Sequence, residues 1–368
     1  MLYDVIVVGG GIAGASAAFF LRQEGARVLV IEKEKLPRYK PCAGGVPRSV
    51  LRFFPFTFEP VIEREIVGVH YSFRGEREVF VPLPSSPVLM VMRDRFDWFV
   101  LEKAGVEVVD GVKVTQVHED RDKVTVLAER GYKWQARYLI GADGANSVVA
   151  RALGFESGGP MGAALEAEIP AEEKFMAPFD SKAFFLFGVV NPGYIWVFPK
   201  KTFLSAGIGA MGRTTDDLKA IFLRWMARLG LPAEKIPLKA HPLPIYLKDR
   251  PLHSLRTVLI GDAARLMDPL LGEGIRYGVM SARLAVQSIL KDNLASYTRV
   301  VHRTLAPHLK AARLWAWAFY NHPKASFELG VRNPLINADF VRMFEGKLSY
   351  RTMLARFPLY IAGFIRRL

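Results

Sequence analysis

The chain has 368 residues, long enough for two or three domain-sized units, and its 51% hydrophobic and 12% aromatic content excludes a disordered protein. A single cysteine, Cys42, excludes an internal disulfide and points to a reducing, cytoplasmic compartment. The formal net charge of +14 marks an anionic partner, while no apolar run reaches the roughly 18 residues of a membrane-spanning helix, and Asp4 interrupts any leader-like start.

In chain order, Leu2–Val8 reads as a buried strand, 9–14 as a turn, Ala15–Gln23 as a helix and Arg27–Glu32 as a second strand, a βαβ unit. Residues 36–47 (LPRYKPCAGGVP) form a constrained Pro/Gly loop. Alternation near Val67–Phe73 and Glu78–Val81 predicts antiparallel strands outside the first domain. Phe96–Ala104 reads as a helix, and Val106–Val109, Val112–Val117, Lys123–Ala128 and Lys133–Ile140 as short strands. A second sheet is expected over 162–209, with strands at Ala163–Ile169, Lys182–Val189, Tyr194–Pro199 and Phe203–Ile208. Asp216–Leu229 is an amphipathic helix, and His241–Tyr246 a further strand. Thr257–Ile260 returns to the first sheet, ahead of a long helix at Ile275–Lys291. Beyond Arg299 the chain reads as helices broken at Pro307, Pro323, Pro334 and Pro358.

The expected fold is therefore α/β: a Rossmann-like nucleotide domain assembled from 1–50, 90–160 and 250–298. An antiparallel-sheet substrate domain (51–89 and 161–249) is inserted in it, and a helical C-terminal region follows (299–368). That last region has only three acids, Glu328, Asp339 and Glu345, among many Lys and Arg, interleaved with Trp315, Trp317, Phe319, Tyr320, Phe340, Tyr350, Phe357 and Tyr360. Such a mixture suits an anionic membrane surface on the inner face of the cell; no nucleic-acid recognition motif accompanies the charge.

Two glycine-rich segments carry the chemistry. Gly9-Gly10-Gly11-Ile12-Ala13-Gly14 follows an apolar strand and opens a helix, and Glu32 ends the next strand. In that context Gly9 allows the tight turn, Gly11 lets a pyrophosphate approach the backbone, Gly14 permits close helix packing, and Glu32 can accept from ribose hydroxyls. Far downstream, Gly261-Asp262-Ala263-Ala264 and Gly272-Glu273-Gly274-Ile275 end a strand and open a helix. Asp262 can bond a ribityl chain, and the helix start can stabilise an anionic reduced flavin. Together they point to FAD. The seven histidines show no metal-ligand spacing and there is no cysteine cluster, so no metal is expected.

With Arg93-x-x-Phe96-Asp97 and Gly141-Ala142-Asp143-Gly144, these motifs resemble the p-hydroxybenzoate-hydroxylase-like flavoprotein superfamily. Within it, Pro41-Cys42-Ala43-Gly44-Gly45, Tyr194-x-Trp196-x-Phe198-Pro199 and Gly346-Lys347-Leu348-Ser349-Tyr350 resemble the geranylgeranyl reductase family. The resemblance implies FAD contacts at Gly9, Gly11, Ala13, Gly14, Glu32, Lys33, Cys42, Ala43, Gly44, Gly45, Arg93, Val114, Asp143, Asp262, Gly272, Gly274 and Ile275. It also implies a prenyl cavity lined by Tyr194 and Trp196, and a prenyl lipid as substrate.

The chemistry sets its own demands. An isolated alkene accepts hydride only if a proton reaches its other carbon as the hydride arrives, which requires a dry apolar cavity and a placed acid. Tyr194, Trp196 and Phe198 alternate on a strand and so share one face. Cys42 and Tyr194 are the candidate proton donors, with Trp196 beside them. Geranylgeranylated glycerophospholipids are the leading substrate and a menaquinone side chain the second; NAD(P)H, a ferredoxin or a deazaflavin would supply electrons. A flavin monooxygenase or halogenase is the rival enzyme, and a prenyl-binding escort without redox chemistry the rival of another class.

Overall fold

A computed structural model of the chain describes residues 2–155, 159–170 and 172–365. The chain divides into two compact units, each built from separated segments: 1–40, 93–159 and 244–310 in the first, 41–92, 160–243 and 311–368 in the second.

The sheet of the first unit runs, edge to edge, Glu107–Asp110, Val28–Glu32, Leu2–Val8, Lys133–Gly141, Val124–Ala128 and Val114–Glu119. Lys133–Gly141 is long enough to serve two partners. Its first half pairs antiparallel with Val124–Leu127, and its last residues pair parallel with Thr257–Leu259. Leu2–Val8 pairs parallel with both Val28–Glu32 and Lys133–Gly141. Its last four residues are fully buried, as expected of a strand covered on both faces. The helices Ile12–Gln23, Arg93–Ala104 and Ile275–Leu290 pack together here. Because the central strands are parallel, their carboxyl ends lie at one edge of the sheet. The 9–14 turn, Glu32, the 141–144 turn and the Gly261–Ala264 turn all leave from that edge, the place where open α/β sheets bind ligands.

The principal sheet of the second unit runs Lys239–Leu243, Gly162–Pro170, Phe203–Ala210, Gly193–Pro199, Lys182–Phe187, Gly68–Phe73 and Arg77–Pro82. It is antiparallel except that Gly68–Phe73 and Lys182–Phe187 run parallel. The register places Ile195, Val197, Leu204, Ala206 and Ile208 on one face, where Phe222, Trp225 and Met226 of helix Leu218–Arg228 close a core. Asp217 caps that helix by accepting from the Ala220 amide at 3.0 Å. A three-stranded sheet of Gly45–Pro47, Val88–Val91 and Ile62–Ile66 was not expected. Its strands are short, one ends in proline, and Val88–Val91 is too buried to alternate.

Several boundaries depart from the expected ones: 90–92 and 160 group with the second unit and 244–249 with the first. Residues 41–50 were expected in the nucleotide domain but group with the second unit. There Gly45–Pro47 pairs with Val88–Met90, and the Cys42 amide donates to Glu166. The expected single C-terminal region 299–368 is instead shared. His302 bonds the Arg250 carbonyl and Lys310 pairs with Asp249 in the first unit. Phe319 packs on Phe187, and Phe327 on Phe73, in the second. Residues 366–368 of the basic tail lie outside the described residues. The four prolines each stand in the first turn of a helix, where a missing N–H costs nothing.

Candidate functional site: a nucleotide edge and an aromatic face

At the carboxyl edge of the first unit, Gly9 adopts φ +107°, and a side chain there would meet the Ala142 carbonyl at 2.4 Å. A Cβ on Gly14 would stand 1.9 Å from the Gly9 carbonyl oxygen, so the helix can lean on the strand only with glycine present. Helix Ile12–Gln23 begins at Gly11 with no capping side chain and no acidic residue in its first turn, leaving its amides for an anion. Glu32 is buried; its carboxylate accepts from the Gly10 amide at 2.7 Å and the Glu34 amide at 3.1 Å, so it also holds the glycine turn in place. Lys33 is exposed and lies 3.9 Å from Glu34.

Arg93 and Asp97 form a buried two-point ion pair with both bonds at 2.8 Å. Arg38 extends it, 3.6 Å from Asp97 and 3.9 Å from Glu32. Arg38 Nη1 is buried and has no hydrogen-bond partner in the protein, while Nη2 of the same guanidinium would stand 3.0 Å from a Cβ on Gly11. A buried cation with an unmet donor next to a glycine turn is what a dinucleotide phosphate requires. Sequence reading passed over Arg38, although it lies in the 36–47 loop already singled out.

The two glycine segments meet at Ala13. Cβ atoms placed on Gly261 and Gly278 would lie 3.1 and 3.3 Å from the Ala13 methyl, so both glycines are needed for the close packing. The Gly261 amide donates to Ser281 Oγ at 3.0 Å. Asp262 lies 3.6 Å from Lys40 and beside Gly274. Gly272 takes φ +66°, Gly274 caps helix Ile275–Leu290, and Ile275 is its first residue. Asp268 shapes the approach by accepting from the Leu270 and Leu271 amides at 2.7 and 2.9 Å. Burial pushes the Glu273 carboxyl up, with Arg276 opposing and Asp268 reinforcing.

Two expected contacts have other employment. Asp143 accepts from Ser147 Oγ and the Val148 amide, both at 2.6 Å, and so caps the helix that follows; burial raises its pKa. Val114 is buried in the edge strand of this sheet.

In the second unit, the face opposite the core is aromatic. The register aligns Phe187, Tyr194 and Gly209 in one row, and Tyr71, Phe185, Trp196, Gly207 and Glu166 in the next. Tyr194 and Phe198 pack edge-on against Phe185, 5.4 and 5.2 Å between ring centres. The Trp196 indole lies over Gly207: a Cβ there would stand 2.1 Å from Cζ2. Trp196 Nε1 is buried without a hydrogen-bond partner. Burial alone raises the Tyr71 hydroxyl pKa.

The Cys42–Gly45 loop is held at the Glu166 end of this face. Glu166 is buried and accepts from the Cys42 amide at 2.5 Å and Ser205 Oγ at 2.7 Å. The Gly44 amide points at Cys42 Sγ (3.4 Å), and Gly45 lies against the Phe198 ring. Buried Lys200 donates to the carbonyls of Ala43 at 2.7 Å and Val91 at 3.0 Å. Lys200 and Glu166 were missed by sequence reading; the one signal was that Lys200 directly follows Pro199. Among the described residues no cluster of His, Cys, Asp and Glu could hold a metal ion.

An FAD binding domain family model matches residues 85–292, and a pyridine nucleotide-disulphide oxidoreductase model matches 3–157. The chain is 32% identical over 313 residues to a geranylgeranyl diphosphate reductase of Synechocystis, covering 79% of this chain and 76% of that protein. It is 31% identical over 319 residues to a menaquinone reductase of Mycobacterium tuberculosis, covering 79% and 78%. The chain belongs to the geranylgeranyl reductase family of FAD-dependent oxidoreductases. A solved geranylgeranyl bacteriochlorophyll reductase-like protein from Thermoplasma acidophilum has the same fold, with TM-score 0.77 at 20% identity over 100% of this chain and 99% of that one. The glycine cradle and the unmet Arg38 donor fit the FAD that this family binds.

Proposed function

We propose that this reductase saturates carbon–carbon double bonds of prenyl lipids, with geranylgeranylated glycerophospholipids the leading substrate and a menaquinone side chain the second. The observation that carries the reading is the aromatic face with the Cys42 loop tied to its end. Bound reduced FAD would supply the hydride equivalent for one alkene carbon. Tyr194, Trp196, Phe198, Phe185 and Phe187 offer an apolar surface along which a prenyl chain can lie away from water. Cys42 or Tyr194 would give the proton to the other carbon.

The test is to incubate chemically reduced, FAD-replete enzyme with each lipid and follow its mass and alkene protons. Gain of two hydrogens per double bond is expected. A fully reduced enzyme that leaves every prenyl lipid unchanged, or that consumes oxygen with an aromatic substrate instead, sinks the reading. A colourless protein that takes up no FAD would favour the escort role.

A lipid substrate also accounts for the C-terminus. Among the described residues no helix is long and apolar enough to cross a membrane. Helix Phe357–Ile365, however, carries no charge and exposes Phe357, Leu359 and Ile361; exposed Arg351 precedes it, while Arg356 is paired with Asp339 at 2.6 Å. This surface would rest on anionic lipid, each well-placed cation adding about 1 kcal/mol. The enzyme should sediment with phosphatidylglycerol vesicles at low salt and be released by high salt. The Leu359→Asp/Ile361→Asp double variant should stay in solution yet still reduce detergent-dispersed substrate; undiminished vesicle binding by that variant would place the contact elsewhere.

A further inference from the structure

One buried cation has no part in the chemistry described so far. Lys200 has almost no exposed surface, 1%, and two of its three N–H donors go to the carbonyls of Ala43 and Val91. A Cβ on Gly44 would stand 2.6 Å from Lys200 Nζ and 2.2 Å from the Val91 oxygen, so the loop closes directly over the ammonium. Val91 in turn donates its amide to the Gly44 carbonyl at 2.9 Å. The loop is thus clamped from two sides, by Lys200 at its carbonyls and by Glu166 at the Cys42 amide.

Simple carbonyl bonding does not call for a charge here. A buried ammonium is costly, and a neutral donor would satisfy the same oxygens. The groups whose negative forms would favour the Lys200 charge are Cys42 first, then Glu166, Glu63 and Glu168, while Arg64 Nε donates to the Lys200 carbonyl. Glu63 already accepts from the Lys201 amide, and Glu166 from Ser205 and Cys42. Cys42 is the member of this group whose charge would change during a proton transfer.

We propose that Lys200 is a positioning residue of the reduction: its ammonium fixes the Cys42–Gly45 loop and supplies the positive charge that balances Cys42 after the thiol has given up its proton. The inference rests on the prenyl-reductase reading. In the step, the S–H bond of Cys42 breaks and a C–H bond forms at one alkene carbon. The S–H electron pair stays on sulfur as thiolate; FAD bound in its reduced form would supply the hydride equivalent for the other carbon and would be left oxidised. A proton from solvent water restores the thiol. An adjacent fixed cation favours the thiolate and so eases the transfer.

Burial pushes the Lys200 amine down to about 8, with the nearby anions opposing that shift. The charge is therefore present below about pH 8 and lost above it, and turnover should fall as pH rises through that range. Because Cys42 is the only cysteine, its alkylation by iodoacetamide reports on this position alone.

The test compares Lys200→Met and Lys200→Arg holoenzymes. Lys200→Met should retain FAD, lose about tenfold in turnover and alkylate about fivefold more slowly at neutral pH, where the wild-type ammonium is still charged, the size expected for losing one nearby charge. Lys200→Arg should restore the alkylation rate and keep its turnover at alkaline pH, where the wild type declines. Wild-type alkylation together with a wild-type pH profile in Lys200→Met would make Lys200 a mere prop and overturn the proposal. If Lys200→Met does not fold, an unchanged alkaline limb in Lys200→Arg overturns it equally. The alkylation arm needs no prenyl substrate, so it still decides the matter if the substrate reading fails.

Discussion

Replacing Gly14 with alanine is expected to yield a colourless protein that neither retains nor takes up FAD. The new methyl would stand 1.9 Å from the Gly9 carbonyl oxygen, 3.1 Å from the Gly9 carbon and 3.2 Å from Val7 Cγ1. Two of those three neighbours are backbone in the turn itself, so relief requires moving the helix away from the strand. Helix Ile12–Gln23 also packs on Arg93–Ala104 and Ile275–Leu290, so the movement would spread to the second glycine segment through Ala13. Overpacking of this kind costs about 1–3 kcal/mol in stability. Displacing the helix amides from the phosphates should weaken FAD at least about 100-fold, roughly 2.7 kcal/mol. Gly11→Ala is the informative control, because its methyl meets side-chain atoms alone, the Arg38 guanidinium at 3.0 Å and the Asp97 carboxylate at 3.8 Å. That variant should fold with a wild-type melting temperature and lose affinity alone. A Gly14→Ala enzyme with stoichiometric FAD and unchanged Tm would show that the turn does not cradle the cofactor.

Gly207→Ala should have the opposite profile: FAD retained, reduction of prenyl lipid lost. Its methyl would lie 2.1 and 2.5 Å from Trp196 Cζ2 and Cη2, and 2.6 Å from the Leu165 carbonyl. The sheet cannot yield, since Gly207 is paired on both sides, with Trp196 and with Glu166. The indole must therefore leave its place on the aromatic face. A displacement of about 1 Å of a substrate-positioning group can cost about 100-fold in rate, and that is the loss expected in kcat/KM. Tryptophan fluorescence should shift with it, as the indole moves. Full turnover in Gly207→Ala would remove Trp196 from the substrate surface.

The contrast between these variants reflects how differently the two parts were legible. The nucleotide edge could be read from local pattern: Leu2–Val8, the 9–14 turn and Glu32 fall within one βαβ unit, with Gly9 supplying a positive φ and Gly14 the close approach of helix to strand. The Tyr194, Trp196 and Phe198 face was legible for a similar reason, since alternation along one strand places those three together whatever the partner strands do. By contrast, the short strands Gly45–Pro47 and Val88–Val91 escaped notice because neither has a period to detect.

By itself the sequence determined the cofactor, the family and the two larger sheets, because each motif and each of their strands is a short local pattern. Only the tertiary structure decided that Gly261 and Gly278 close over Ala13, turning two distant glycine segments into one packing requirement. It alone brought Arg38 to Asp97 and Glu32, and Glu166 and Lys200 to the Cys42 loop. Those pairings join residues up to 157 positions apart, and nothing in the composition around Lys200 distinguishes it from a solvated lysine. Its burial, and hence its chemistry, is a property of strand order and loop closure rather than of its neighbours in sequence.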